Sequence, residues 1–206
     1  MANIDRSSPF TYHSSQTLLI FLDYHSLFVN FIGAHSAVEK AAALKARAKS
    51  QKIDVAHALI DDDPENKPRT NTKGLERTQQ IWSILCSNTE HFTEPQGIRP
   101  AEGEDEVVFT RAPGFVSAMT SRKPYDINMW LAEEGYKSLI LCGLSTGGCV
   151  MRTATSATDA GFVVTVVEDA CFDKAEVHKV VAGDLLPMRA NVFSLEDFTK
   201  RWEETA

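Results

Sequence analysis

The residue of this chain best suited to covalent chemistry is a cysteine that follows a glycine-rich turn. The stretch Leu139-Ile-Leu-Cys-Gly-Leu-Ser-Thr-Gly-Gly-Cys149-Val-Met-Arg-Thr is apolar, then glycine-rich, then helix-forming. That order reads as a strand, a turn and a helix start. Gly143, Gly147 and Gly148 permit unusual backbone angles and the close approach of a ligand. A thiol at a helix N-terminus sits at the positive end of the dipole, which favours the thiolate. The unpaired N–H groups of the same turn are ready donors to a developing oxyanion. Cys149 is therefore the candidate nucleophile. The remaining cysteines, Cys86, Cys142 and Cys171, form no Cys-x-x-Cys pair, so neither a zinc knuckle nor a disulfide framework fits. Cys142 and Cys171 lie in or just after apolar runs and read as buried structural thiols.

Two further residues complete a plausible chemistry. Asp23 ends the apolar run over residues 17–23, and Arg111 follows the run over residues 106–109. A carboxylate facing a thiol takes its proton and later hands it to a leaving amine. An arginine holds thiolate and carboxylate together and orients a substrate oxygen, but stays charged and cannot shuttle protons.

These residues need elements to bring them together. Apolar runs over residues 17–23, 53–60, 106–109, 137–143, 162–167 and 191–193 read as strands. Helical patterns cover residues 37–50, 75–86, 127–134, 149–160, 174–182 and 195–202. The runs are continuous rather than alternating, which suits strands covered on both faces of a parallel sheet. Alternation of strand and helix predicts an α/β fold, a three-layer α/β/α sandwich with a mainly parallel, roughly six-stranded doubly wound sheet. Ligands of such sheets bind outside the carboxyl ends of the strands. Asp23, Arg111 and the turn to Cys149 all follow strands and so converge on that edge.

Composition narrows the alternatives. A net charge of −7 argues against a nucleic-acid partner, which needs a basic face. No apolar run approaches the roughly 18 residues of a membrane helix. Residues 1–16 are polar, lack the charged-then-apolar order of a signal peptide, and read as a flexible N-terminal arm; the expected location is cytoplasmic. Residues 17–206 read as one domain. Asp61, Asp62 and Asp63 suggest a metal site, but three adjacent carboxylates cannot all turn toward one ion, and a solvated loop is the better reading.

The stretch Gly143-Leu-Ser-Thr-Gly-Gly-Cys149-Val and its continuation to Ala170 resembles the signature of isochorismatase-like cysteine hydrolases. Thr146, Cys149, Val150, Thr153, Ala157, Asp159, Gly161 and Glu168-Asp169-Ala170 stand in the family's register. Leu22-Asp23-Tyr24-His25 with Phe28 resembles its first-strand motif, and Ser117-Ala118-Met119 its Ser-Ala-Phe. The resemblance implies an Asp, Lys, Cys triad and hydrolysis of small C–N bonds, in amides or ureides, through a thioester. By motif, Asp23 is the proton carrier and Cys149 the nucleophile. Backbone N–H groups of Ser145 and Cys149 form the oxyanion hole, with a cis peptide at Leu144–Ser145. The resemblance also implies a homodimer or homotetramer acting on a small molecule, with no cofactor.

This sequence departs from the pattern in three places. Arg111 is the nearest cation to the triad lysine's place, with two more residues than usual before Ser117, and Lys123 is its rival. His25 replaces a glutamine and Met119 a phenylalanine. The Asp-x-His metal motif of the nicotinamidase branch is missing after the second strand, so no metal is expected. Phe28, His25, Phe115 and Trp130 are the candidate substrate contacts, and Arg111 with His25 nearby suggests an anionic substrate. Two other readings stand beside amide hydrolysis: vinyl-ether hydrolysis of isochorismate, and a catalytically weak binding or oligomer-forming member.

Overall fold

The computed structural model describes residues 5–68 and 73–205. Its centre is a six-stranded sheet with the order β3-β2-β1-β4-β5-β6, every neighbour parallel. The strands are β1 (Thr17–Leu22), β2 (Asp54–Ile60), β3 (Val107–Arg111), β4 (Ser138–Gly143), β5 (Val163–Val167) and β6 (Asn191–Phe193). Each lies within a few residues of its apolar run. β1 and β4 are buried along their whole length, which is why their sequences run apolar without alternation.

The helices are α1 (Ser26–Ile32), α2 (His35–Ser50), α3 (Leu75–Leu85), α4 (Ile127–Glu133), α5 (Met151–Asp159), α6 (Ala175–Val180) and α7 (Leu195–Thr205). α1 to α6 lie between successive strands and α7 follows β6, giving the α/β/α layering expected from the alternation. α1 was not expected. At seven residues it spans about two turns, too few for the 3.6 period to register. The segment expected to be one helix over 149–160 divides instead: a π turn, Thr146–Val150, precedes α5.

Chain order reverses at the centre of the sheet. From β1 the chain builds outward through β2 and β3, then returns to lay β4 on the other side of β1. The register aligns Leu22 with Gly143, so both strands end at one level. A Cβ on Gly143 would stand 2.2 Å from the Leu22 carbonyl oxygen, so only glycine allows this approach. The crevice above β1 and β4 is the switch point at which doubly wound sheets bind ligands.

Two expectations are corrected. Residues 5–16 are not a free arm: Pro9 is buried, and the Phe10 ring packs 5.7 Å from those of Phe193 and Phe198. Residues 1–4 of that arm, and 69–72 of the long loop over 61–73, lie outside the described residues. Asp61 is not solvated either. It is buried and pairs with Lys123 Nζ at 2.6 Å and Asn66 Nδ2 at 3.0 Å. Among the described residues no helix is long and apolar enough to cross a membrane.

Candidate active site

Asp23 leaves β1 with a left-handed backbone, φ 54°, a conformation that Asp tolerates better than most side chains. Its N–H still donates to the Ala58 carbonyl at 3.1 Å, which ties this bend to the end of β2. Its side chain is buried, 4% of the residue exposed. Arg111 is the last residue of β3, two strands away from β1, and only a long side chain crosses that gap. Its Nη2 donates to Asp23 Oδ2 and lies 3.7 Å from Cys149 Sγ. Its Nε donates to the Phe115 carbonyl at 2.9 Å. Burial disfavours this cation, but Asp23 and then Cys149 outweigh that and raise its pKa. Arg111 is thus a fixed positive charge.

Cys149 sits within the π turn and is 3% exposed. Burial pushes its thiol well up, the Asp23 charge pushes it further, and Arg111 pulls it only partly back. Burial and the neighbouring carboxylate thus hold the resting sulfur as a protonated thiol. This corrects the expectation of a dipole-stabilised thiolate. Desolvation in a closed site exceeds the pull of a few aligned amides. The Thr153 hydroxyl lies 3.8 Å from the sulfur and accepts the Ala118 N–H at 2.9 Å.

The turn before Cys149 is held by residues far along the chain. Thr146 N–H donates to the Phe172 carbonyl at 3.0 Å and Gly147 N–H to Asp173 Oδ2 at 2.9 Å. Thr146 Oγ1 and His178 Nδ1 are 2.8 Å apart. Gly148 and Val150 N–H both donate to the Ser145 carbonyl, at 3.0 and 3.2 Å. None of these bonds uses the N–H of Ser145 or of Cys149. The Leu144–Ser145 peptide is cis.

The other candidates divide. Lys123 is 59% exposed along its side chain and pairs with Asp61, so Arg111, not Lys123, stands beside Asp23 and Cys149. His25 is fully buried. Its Nδ1–H donates to the Phe92 carbonyl at 3.2 Å, and its Nε2 accepts the Ile60 N–H at 3.2 Å. With both ring nitrogens bonded to backbone, His25 ties the bend after β1 to the end of β2 and to Phe92. Burial lowers its pKa against the pull of Asp23, so it is neutral. Phe28 packs on it edge-on at 5.3 Å. Trp130 lies 5.0 Å from Phe109 and 5.4 Å from Tyr136. Tyr136 in turn bonds Asp54 at the start of β2, so Trp130 belongs to the packing of α4 against the sheet. Phe115 is 49% exposed and is joined to the site through Arg111. Cys142 and Cys171 are buried thiols, and Cys86 is exposed.

Asp173 and His178 were not anticipated. Nothing local marks them, because their partners lie 26 and 32 residues away. Thr153 falls in the signature stretch, but its two contacts are visible only in three dimensions.

Comparison with known proteins gives the relatives of this chain and of its fold. An isochorismatase family protein of Bacillus subtilis is 37% identical over 99 residues, covering 44% of this chain and 51% of that protein. Isochorismatase domain-containing protein 2B of Mus musculus is 41% identical over 111 residues, 52% of this chain and 49% of that protein. The chain spans about half the length of these curated relatives. The crystal structure of a cysteine hydrolase from Pseudomonas syringae pv. phaseolicola shares the fold, with a TM-score of 0.77 at 16% identity, covering 95% of this chain and 96% of that one. The model of the isochorismatase domain matches residues 17–197, and the chain belongs to the isochorismatase family.

Proposed function

We propose that this chain is a cysteine hydrolase that cleaves the C–N bond of a small amide or ureide through a thioester on Cys149. The observation that carries this reading is the buried contact of Cys149, Asp23 and Arg111 at the switch point of the sheet. The thiol is protonated at rest, so attack and deprotonation are coupled. As Sγ bonds to the substrate carbonyl carbon, the thiol proton passes to the Asp23 carboxylate. The carbonyl oxygen becomes an oxyanion and accepts from the N–H groups of Ser145 and Cys149. Collapse of this intermediate breaks the C–N bond, and Asp23 returns the proton to the departing nitrogen. Water then attacks the thioester with Asp23 taking its proton, releasing the acid and the thiol. Arg111 stays charged throughout and holds Asp23 against the sulfur.

The charges of Arg111 and Asp23 oppose each other and His25 is neutral. There is therefore no spare positive charge to favour an anionic substrate, and neutral amides fit better than the carboxylates suggested by Arg111 and His25 in sequence. The test is a panel of small amides and ureides incubated with wild type and Cys149→Ala, followed by release of ammonia or amine and by intact mass. Turnover by wild type, lost in Cys149→Ala, with an acyl-sized mass gain mapped to Cys149, is the expected result. Undiminished hydrolysis by Cys149→Ala would refute the nucleophile.

A further inference from the structure

The loop over residues 112–117 is held from beneath by the side chains that surround the sulfur. Arg111 Nε–H donates to the Phe115 carbonyl at 2.9 Å. Thr153, one helical turn beyond Cys149, accepts the Ala118 N–H at 2.9 Å. Between these anchors Phe115 is 49% and Val116 38% exposed, although Arg111, Ala118 and Met119 on either side are buried. Two adjacent apolar residues thus stand exposed and fixed, one hydrogen bond from the triad.

A guanidinium separates its donors in a rigid fork. Nη2 serves Asp23 and the sulfur while Nε, a separate donor of the same rigid group, serves the loop. A lysine carries all its donors on one nitrogen and lacks this second, separately fixed donor. The arginine and the two added residues before Ser117 therefore belong together: the longer loop brings a carbonyl to the second donor. We infer that Arg111 is also a positioning residue, holding Phe115 and Val116 as an apolar wall that selects amides with an apolar acyl group. This rests on the amide-hydrolase reading above. It links the residue that steadies the proton carrier to the one that selects substrate.

The experiment compares straight-chain acyl amides of increasing length on wild type, Phe115→Ala, Arg111→Lys and the double variant. Wild-type kcat/KM should rise with chain length. Phe115→Ala should flatten that rise by about 10-fold at the long end, through KM more than kcat. Arg111→Lys should lower kcat and flatten the rise as well, and adding Phe115→Ala to it should change the profile by less than about 2-fold. A profile unaltered by Phe115→Ala, or effects of the two changes that simply multiply, would overturn the wall or its tether respectively. Phe115→Ala retains the backbone carbonyl, so it tests the wall even where Arg111→Lys does not fold. Hydrogen exchange of the peptide over 112–118 is read alongside and needs no turnover. Faster exchange in Arg111→Lys but not in Cys149→Ala is expected, and equal exchange overturns the tether. If wild type cleaves no amide while Arg111→Lys still loosens this peptide, the amide reading fails and the tether stands.

Discussion

At the level of single residues, the governing fact is that Cys149 is buried against a carboxylate. A thiol raised by burial and by Asp23 is a poor general nucleophile, so on the proposed function it attacks when a substrate carbonyl reaches it. Iodoacetamide at neutral pH should therefore modify exposed Cys86 before Cys149, as peptide mapping would show. Asp23→Asn separates the two roles of the carboxylate. Removing its charge leaves Arg111 as the dominant neighbour, which lowers the thiol pKa, so alkylation of Cys149 should speed up. Removing its proton-carrying ability should lower kcat by about 10²–10⁴-fold. Slower alkylation in this variant would contradict the assignment of Asp23 as the charge that holds the thiol protonated.

At the level of elements, the site depends on two strand ends that pass at van der Waals distance. Gly143→Ala forces a methyl group against the Leu22 backbone and should cost about 1–3 kcal/mol as overpacking, visible as a lower urea midpoint with unchanged slope. An unchanged midpoint would mean that β1 and β4 separate freely here. The elements also show why parts of the site were legible in sequence and parts were not. β1 and β4 announce themselves because both faces are buried, so their composition is uniformly apolar. The π turn did not: its sequence is compatible with an α-helix, and it is marked by the Val150 N–H bond to the Ser145 carbonyl, while Thr146 and Gly147 N–H donate outward to Phe172 and Asp173. His25 lies next to Asp23 in sequence and so invited a functional role. Its partners, Phe92 and Ile60, come from other parts of the chain and turn it into a structural ring.

At the level of the whole molecule, a buried charged network joins segments distant in sequence. His57 on β2 is fully buried and places Nδ1 2.8 Å from Glu94 and Nε2 3.0 Å from Glu106. Lys45 of α2 reaches Glu106 at 2.8 Å and donates to the Ile98 carbonyl at 2.8 Å. Burial alone would lower the His57 pKa; Glu106 and Glu94 outweigh it and raise the value above 6.5. A raised folded pKa means that the imidazolium's contribution is complete below about 6.5 and is lost as pH rises through the folded value. Urea unfolding between pH 6 and pH 8.5 should show stability declining with pH, and His57→Gln should remove most of that slope. A His57→Gln variant with the wild-type slope would show that another group titrates. Glu106 behaves in the opposite sense. Burial would raise it, but His57 and Lys45 hold it down at about 2, so its share of stability is lost only as pH falls from about 4.5 toward 2. Glu94 also anchors the segment whose Phe92 and Thr93 carbonyls accept from His25 and Ser26, so the network supports the bend after Asp23.

The sequence by itself determined the strand-helix alternation, the parallel sheet, the edge on which the candidate site gathers, and Asp23 and Cys149 as members of that candidate site. These follow from short-range properties: burial of whole strands, the backbone freedom of glycine, and residue type at strand ends. Only the tertiary structure decided that Arg111 rather than Lys123 stands beside them, that His25 is neutral and bonded to backbone at both ring nitrogens, that Trp130 packs α4 against the sheet, and that burial and Asp23 raise the thiol. Each of those depends on the distance between groups far apart in sequence, and on desolvation, which no local pattern of residues encodes.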